Sequence, residues 1–76
     1  MQEASEARMQ YVVVYERTPE GWSAYVPDLP GCVAVGDTRE EVEGYMRDAI
    51  AMHIEALRED GESIPLPGAW TSLVEV

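Results

Sequence analysis

The chain has 76 residues, of which 46% are apolar, and fifteen acidic side chains outweigh five basic ones for a formal net charge of −10. This length allows one domain, and the apolar content argues against a disordered chain. Such acidity disfavours binding to nucleic-acid phosphates, and it favours either cationic partners or simple solubility. No apolar run approaches the ~20 residues of a membrane span, so the sequence predicts a cytoplasmic protein with no membrane partner.

The first part of the chain predicts a polar tail followed by a β-hairpin. Residues 1–8 lack an apolar stripe and are read as a disordered tail, so the single domain is predicted to span residues 9–76. Residues 9–16 are rich in β-branched and aromatic side chains, which is typical of a strand. Turn residues at 17–21 then precede a return strand at 22–26.

A break, a short strand and a long helix follow. Two prolines and Gly31 interrupt the sheet before a predicted third strand at 32–35. Thr38 and Glu41 form a capping box, and an apolar stripe then recurs at steps of three and four residues up to Leu57. Gly61 is suited to ending a helix, so the helix is predicted at about 39–60.

The end of the chain again has strand character. Residues 62–68 contain two prolines and predict an extended connector, and residues 71–76 predict a last strand. A strand that follows a crossover helix favours parallel pairing, so we place it beside the first strand. The predicted fold class is α+β in the order β-β-β-α-β, with a three-stranded antiparallel sheet, one long amphipathic helix and a C-terminal strand parallel to the first.

One helix can cover only one face of this sheet. The first strand is apolar on both faces, with Tyr11, Val13 and Tyr15 on one and Val12 and Val14 on the other. An uncovered apolar face predicts self-association as a dimer or tetramer. The interface is assigned to four residues, with the Val12 and Val14 face as the alternative: Tyr11, Val13, Tyr15 and Trp22.

The chemistry of catalysis is sparse in this sequence. Cys32 is the only cysteine and His53 the only histidine, so neither residue type can form a paired site. We interpret Cys32 as a small buried hydrophobe and His53 as a packed residue of the helix. No phosphate-binding loop is present. The sequence predicts no catalytic residue, no metal ligand and no cofactor, and therefore a protein that is not an enzyme.

The order of motifs resembles that of a known family. Val26-Pro-Asp-Leu-Pro-Gly-Cys32 precedes Gly36-Asp-Thr-Arg-Glu-Glu-Val42, then a long helix and the connector Gly61-Glu-Ser-Ile-Pro-Leu-Pro67. This arrangement is similar to the HicB-like antitoxins over residues 9–76. The resemblance implies a truncated ribonuclease-H-like fold without nuclease activity, and a small, basic, HicA-like mRNA interferase as partner, neutralised by direct contact over its catalytic surface.

Many members of that family continue into a DNA-binding domain. This sequence ends at Val76, so direct DNA binding is not expected of it. Two alternatives remain open, namely a residual metal-dependent nuclease that uses Glu16, Asp28 and Asp37, and a solitary homo-oligomeric domain with no toxin partner. For the antitoxin reading, the predicted partner-binding residues come from the turn before the third strand and from the helix: Asp28, Leu29, Pro30, Gly31, Glu40, Glu43 and Glu55.

Overall fold

The computed structural model describes residues 9–76, so the predicted tail at 1–8 lies outside the described residues. Three strands precede one helix: β1 (Val14–Thr18), β2 (Gly21–Tyr25), β3 (Val33–Gly36) and α1 (Arg39–Glu59). Both strand pairs are antiparallel, and the sheet order is β1-β2-β3. The predicted α+β class, with a three-stranded antiparallel sheet and one long helix, is confirmed.

The first strand is shorter than predicted and lies nearer the hairpin turn, because Arg17 and Thr18, predicted as turn residues, pair with Trp22 and Gly21. β1 begins at Val14, which pairs with Tyr25 at the end of β2. Residues 9–13 continue beyond that point without a ladder partner in the described part of the chain. At the other end of β2, a Cβ on Gly21 would collide with the carbonyl oxygen of Gly36. Glycine is therefore required where β2 and the end of β3 approach closely.

Local side-chain hydrogen bonds define the ends of α1. The Thr38 hydroxyl oxygen accepts from the Glu41 backbone N–H at 3.1 Å, as predicted. The Glu41 carboxylate accepts from the N–H of Asp37 at 2.8 Å, one residue earlier than a standard capping box would place it. At the far end, Gly61 has φ +72° and donates to the carbonyl of Arg58 at 3.1 Å. The helix accordingly ends within one residue of the predicted position.

The core lies between β2, the turn that follows it, and the first half of α1. Six residues are buried there: Ala24, Val26, Leu29, Cys32, Val42 and Met46. The helix packs against β2 and β3, and β1 lies at the margin of this contact. A short chain thus concentrates its apolar burial on one side of the sheet, as a small domain must.

The helix covers the face of β1 that was predicted to be open, which corrects the predicted self-association interface. Tyr11, Val13, Tyr15 and Trp22 are half-buried and pack against the core, so they lie on the helix side. The open face carries Val14 and Tyr25, which are ladder partners, and the exposed valines of β3. Alternation along a strand assigns residues to two faces but does not say which face the helix covers.

The predicted last strand is absent from the described residues. Residues 71–76 form no ladder with β1, and Leu73 and Val76 are fully exposed. The fold of residues 9–76 is therefore β-β-β-α followed by a segment without regular secondary structure. Strand propensity measures how well side chains fit a pleated, half-buried surface, so it is expressed only when an edge is available to pair with.

Candidate partner-binding surface

The turn between β2 and β3 is rigid and is anchored by a buried side chain. The Val26 N–H donates to the Cys32 carbonyl at 3.2 Å. The Leu29 N–H donates to the Val26 carbonyl, and the Leu29 carbonyl accepts from the Cys32 N–H, both at 3.1 Å. The Leu29 side chain is 0% exposed and sits in the core. Leu29 therefore cannot touch a partner, which corrects its predicted role. It holds Pro30 and Gly31 at the surface in a fixed conformation.

Asp28 has a structural function within the chain. One oxygen of its half-buried carboxylate accepts hydrogen bonds from the backbone N–H groups of Gly68 at 3.0 Å and Ala69 at 3.1 Å. Burial raises the pKa of the nearby Tyr11 hydroxyl, and the negative charge of Asp28 raises it further. The Tyr11 hydroxyl in turn donates to the Pro65 carbonyl at 2.5 Å. Together these bonds tie the connector to the end of the sheet.

Four exposed carboxylates share one side of α1. Each residue of an α-helix is rotated by about 100° from the one before, so residues four or seven positions apart lie on the same side. The four carboxylates are spaced in this way. We call them the acidic stripe: Glu41, Asp48, Glu55 and Glu59. Tyr45 and Met52 run beside the stripe and are 48% and 71% exposed. This side of the helix therefore offers negative charge next to apolar surface.

Arg39 and Arg47 of α1 lie on the opposite side, next to β1. The Arg39 guanidinium approaches the Glu43 carboxylate at 3.6 Å and that of Glu40 at 4.0 Å. The pKa of Tyr15 is raised by burial and by Glu43, while the positive charges of Arg47 and Arg39 oppose the shift. On the same side of the sheet, the Arg17 guanidinium lies 5.5 Å from the Trp22 ring centre. The β1 side is thus mixed in charge.

A shallow hollow joins the turn to the helix. It has a volume of about 330 Å³ and lies between the start of β3 and the middle of α1. Its walls are Gly31, Cys32, Val33, Ala49, Met52 and His53. His53 is a half-buried wall residue, and burial raises the pKa of the Cys32 thiol, which keeps it protonated at neutral pH. The hollow is an apolar recess that a side chain from a partner could enter.

The structure places the exposed members of the predicted partner-binding set in two separate regions of the surface. Pro30, Gly31 and Glu55 lie on the side of the hollow and the acidic stripe, although Glu55 is 3.9 Å from Arg58. Glu40 and Glu43 lie beside Arg39 instead. Sequence reasoning missed Asp48, Met52 and Val33. The seven-residue spacing of Glu41, Asp48 and Glu55, repeated by Tyr45 and Met52, was the signal that could have revealed the stripe.

Residues 9–76 contain neither a metal-ligating cluster nor a membrane-spanning helix. Within residues 9–76, no three side chains of the metal-ligating types Asp, Glu, His and Cys converge as a metal site would require. The helix of this region is not apolar enough over a sufficient length to span a bilayer.

The comparison with known proteins decides the family. A family model described as HicB_like antitoxin of bacterial toxin-antitoxin system matches residues 11–75. The chain belongs to the HicB-like antitoxin family. Antitoxin HicB 1 from Photorhabdus laumondii is 43% identical over 61 residues, covering 79% of this chain and 39% of that protein. A UPF0150 protein from Thermoplasma acidophilum is 36% identical over 62 residues, covering 80% of this chain and 90% of that protein.

A solved structure shows the same fold. One chain of the HicA3 and HicB3 toxin-antitoxin complex matches with a TM-score of 0.67 and 35% identity, covering 78% of this chain and 70% of that chain. A Haemophilus phage HP1 protein of uncharacterised role is 40% identical over 57 residues, covering 75% of this chain and 43% of that protein. The chain thus spans less than half the length of some of its relatives, and the predicted family resemblance is confirmed.

Proposed function

We propose that this HicB-like antitoxin neutralises a small, basic, HicA-like mRNA interferase by covering its catalytic surface. The observation that carries the proposal is the separation of charge on α1. The acidic stripe lies beside exposed Tyr45 and Met52, while Arg39 and Arg47 lie on the β1 side. A cationic toxin would therefore be attracted to one particular side of the domain.

In this proposal the exposed carboxylates and the apolar side chains contribute to different steps of binding. Exposed carboxylates attract a cationic partner over roughly one Debye length, about 8 Å at physiological salt, and so raise its association rate. Apolar side chains beside a hollow provide the contact area that slows dissociation. Met52 and the exposed Val33 supply that area, with Pro30 and Gly31 as a rigid neighbouring rim.

The solved HicA3 and HicB3 complex supports a toxin as the class of partner, because a chain of that complex shares this fold at 35% identity. Binding, not catalysis, is the proposed activity, and the truncated ribonuclease-H-like description is part of the same proposal. The acidic stripe would repel a DNA backbone, so direct DNA binding by residues 9–76 is not proposed. An inhibitor of an mRNA-cleaving toxin has to act in the cytoplasm, where messenger RNA is translated.

Self-association is the second part of the proposal. Outside the hollow, the open face of the sheet exposes Tyr25 by 41% and Val35 by 69%. Neighbouring exposed apolar side chains of this kind are typical of surfaces that contact another protein. We therefore expect a dimer or tetramer.

The decisive experiment is a ribonuclease assay with the small basic protein encoded next to this chain. Adding the purified antitoxin should abolish RNA cleavage by that protein at a stoichiometric ratio. Persistent cleavage at excess antitoxin would contradict the proposal. In the matched control, the antitoxin alone is incubated with RNA and Mg²⁺ or Mn²⁺. Cleavage there would favour the residual nuclease instead.

A further inference from the structure

Residues 70–76 are a strand-forming sequence that has no pairing partner among residues 9–76. Trp70 is 82% exposed, Leu73 102%, Val74 80% and Val76 118%. Within residues 9–76, no hydrogen bond connects this segment to the sheet. Exposed apolar residues in a segment with strand propensity are typical of a strand that adds to an unpaired edge. We call residues 70–76 the exposed segment.

The origin of this segment is fixed relative to the sheet. Asp28 holds the backbone N–H groups of Gly68 and Ala69, and Tyr11 holds the carbonyl of Pro65. These bonds place the start of the segment at the end of the sheet where the chain enters β1. The segment is therefore presented from a rigid base, and its exposure is not the result of a loose connector.

The first two residues of β1 are apolar and half-buried, although β1 lies at an edge of the sheet. Its paired side faces β2, and its other side has no ladder partner among residues 9–76. Tyr15 on the helix side and Val14 on the open side are both half-buried, so both faces are apolar. The helix packs mainly over β2 and β3, so Tyr11, Val13 and Tyr15 remain only partly buried, as do Ile50 and Ile54 of α1.

We propose that residues 71–76 of one copy add to the outer edge of β1 in a second copy, and that the exchange is reciprocal. The proposal rests on the self-association part of the proposed function and is independent of the toxin. Six residues in strand conformation span about 20 Å, enough to match the five residues of β1. Leu73 would extend one apolar face of the sheet, and Val74 and Val76 the other.

A two-fold symmetric dimer would supply the predicted last strand, which does not form among residues 9–76. The predicted pairing beside β1 is retained, but the strand comes from the neighbouring copy, as in domain swapping. The edge of β3 is left free on the side of the hollow and the acidic stripe. Each copy could then bind a toxin on its β3 side while contacting the other copy on its β1 side.

Light scattering on the full chain tests the exchange with a matched pair of variants. L73D/V74D places charge on the exposed segment and should weaken self-association by at least about tenfold. M52D places a charge at a site of similar exposure on the helix and should leave the molar mass unchanged. A monomeric wild-type chain, or a double variant that associates as tightly as the wild type, would overturn the proposal.

Toxin binding by the same variants separates this proposal from the toxin proposal. L73D/V74D should still bind the toxin through its β3 side, whereas M52D should bind it more weakly. Loss of toxin binding in M52D with an unchanged mass would support both proposals. Unchanged toxin binding in M52D would count against the toxin surface alone, and the mass measurements would still decide the exchange.

Cross-linking identifies the chain that supplies the strand. In a C32A background, a copy with E16C on β1 is mixed with a differently tagged copy carrying E75C, and a short bismaleimide is added. Exchange predicts a covalent heterodimer. A single chain carrying both cysteines, diluted into excess cysteine-free C32A chain, should form no internal cross-link. An internal cross-link that survives dilution would show pairing within one chain and overturn the exchange.

Discussion

The carboxylate of Asp28 accepts a hydrogen bond from the backbone N–H of Gly68 at 3.0 Å, across forty positions of sequence. The same oxygen accepts from the next N–H, that of Ala69, at 3.1 Å. This arrangement joins the turn after β2 to the connector after α1. It also determines where the exposed segment leaves the domain.

Loss of this carboxylate should destabilise the fold. D28A leaves two backbone donors without their acceptor, which we expect to reduce the free energy of unfolding by about 1–3 kcal/mol. D28N retains a carbonyl acceptor and should cost less. Urea unfolding followed by circular dichroism measures both changes. D48A serves as the control, because Asp48 is exposed on α1, and equal losses for D28A and D48A would contradict the assigned role.

Removing charge from the acidic stripe should slow toxin association. D48N/E55Q/E59Q removes three negative charges from the proposed side and should lower the association rate constant by about tenfold while flattening its salt dependence. E16Q/E20Q/E62Q removes the same number of exposed charges elsewhere and is the matched control. Stopped-flow binding at several salt concentrations provides the comparison. Equal slowing by both triple variants would indicate an effect of net charge without a preferred side.

Truncation of Leu29 should destabilise the chain more than most substitutions. The side chain is 0% exposed in the core, so L29A creates a cavity and should cost about 2–5 kcal/mol. In a domain this small, such a loss approaches the whole stability. L66A is the control, since Leu66 is 76% exposed and should change stability by less than about 0.5 kcal/mol. Thermal unfolding compares the two variants, and similar melting temperatures would contradict the burial of Leu29.

Alkaline pH should destabilise the domain partly through Cys32. Burial raises the pKa of this thiol in the native state, so the unfolded chain loses its proton first as pH rises. The contribution of the buried, protonated thiol to stability is complete below the thiol pKa of the unfolded chain, about 8.5, and falls as the pH rises above that value. C32A should therefore show a smaller loss of stability between pH 7 and pH 10 than the wild type, as measured by urea unfolding. Tyr11 and Tyr15 have raised pKa values in both chains and affect them alike.

The local features of this chain could be predicted because they depend on neighbouring residues. The Thr38 cap, the apolar stripe and Gly61 placed both ends of α1 within one residue. The hairpin and the short third strand followed from turn residues and β-branched runs, and the motif order predicted the family that the comparisons confirm. In these cases the relevant interactions lie within a few positions along the chain.

Only the tertiary structure decided which surfaces of these elements are covered and which remain exposed. A strand that is apolar on both faces, as around Val13 and Val14, does not reveal which face the helix covers. The choice places Tyr15 against the core and turns Val14 to the open side. Packing of α1 also directed Arg39 toward β1 and Asp48 away from it. Residues 71–76 carry strand propensity, but pairing requires an edge to be within reach, and the position of that edge is a property of the folded assembly.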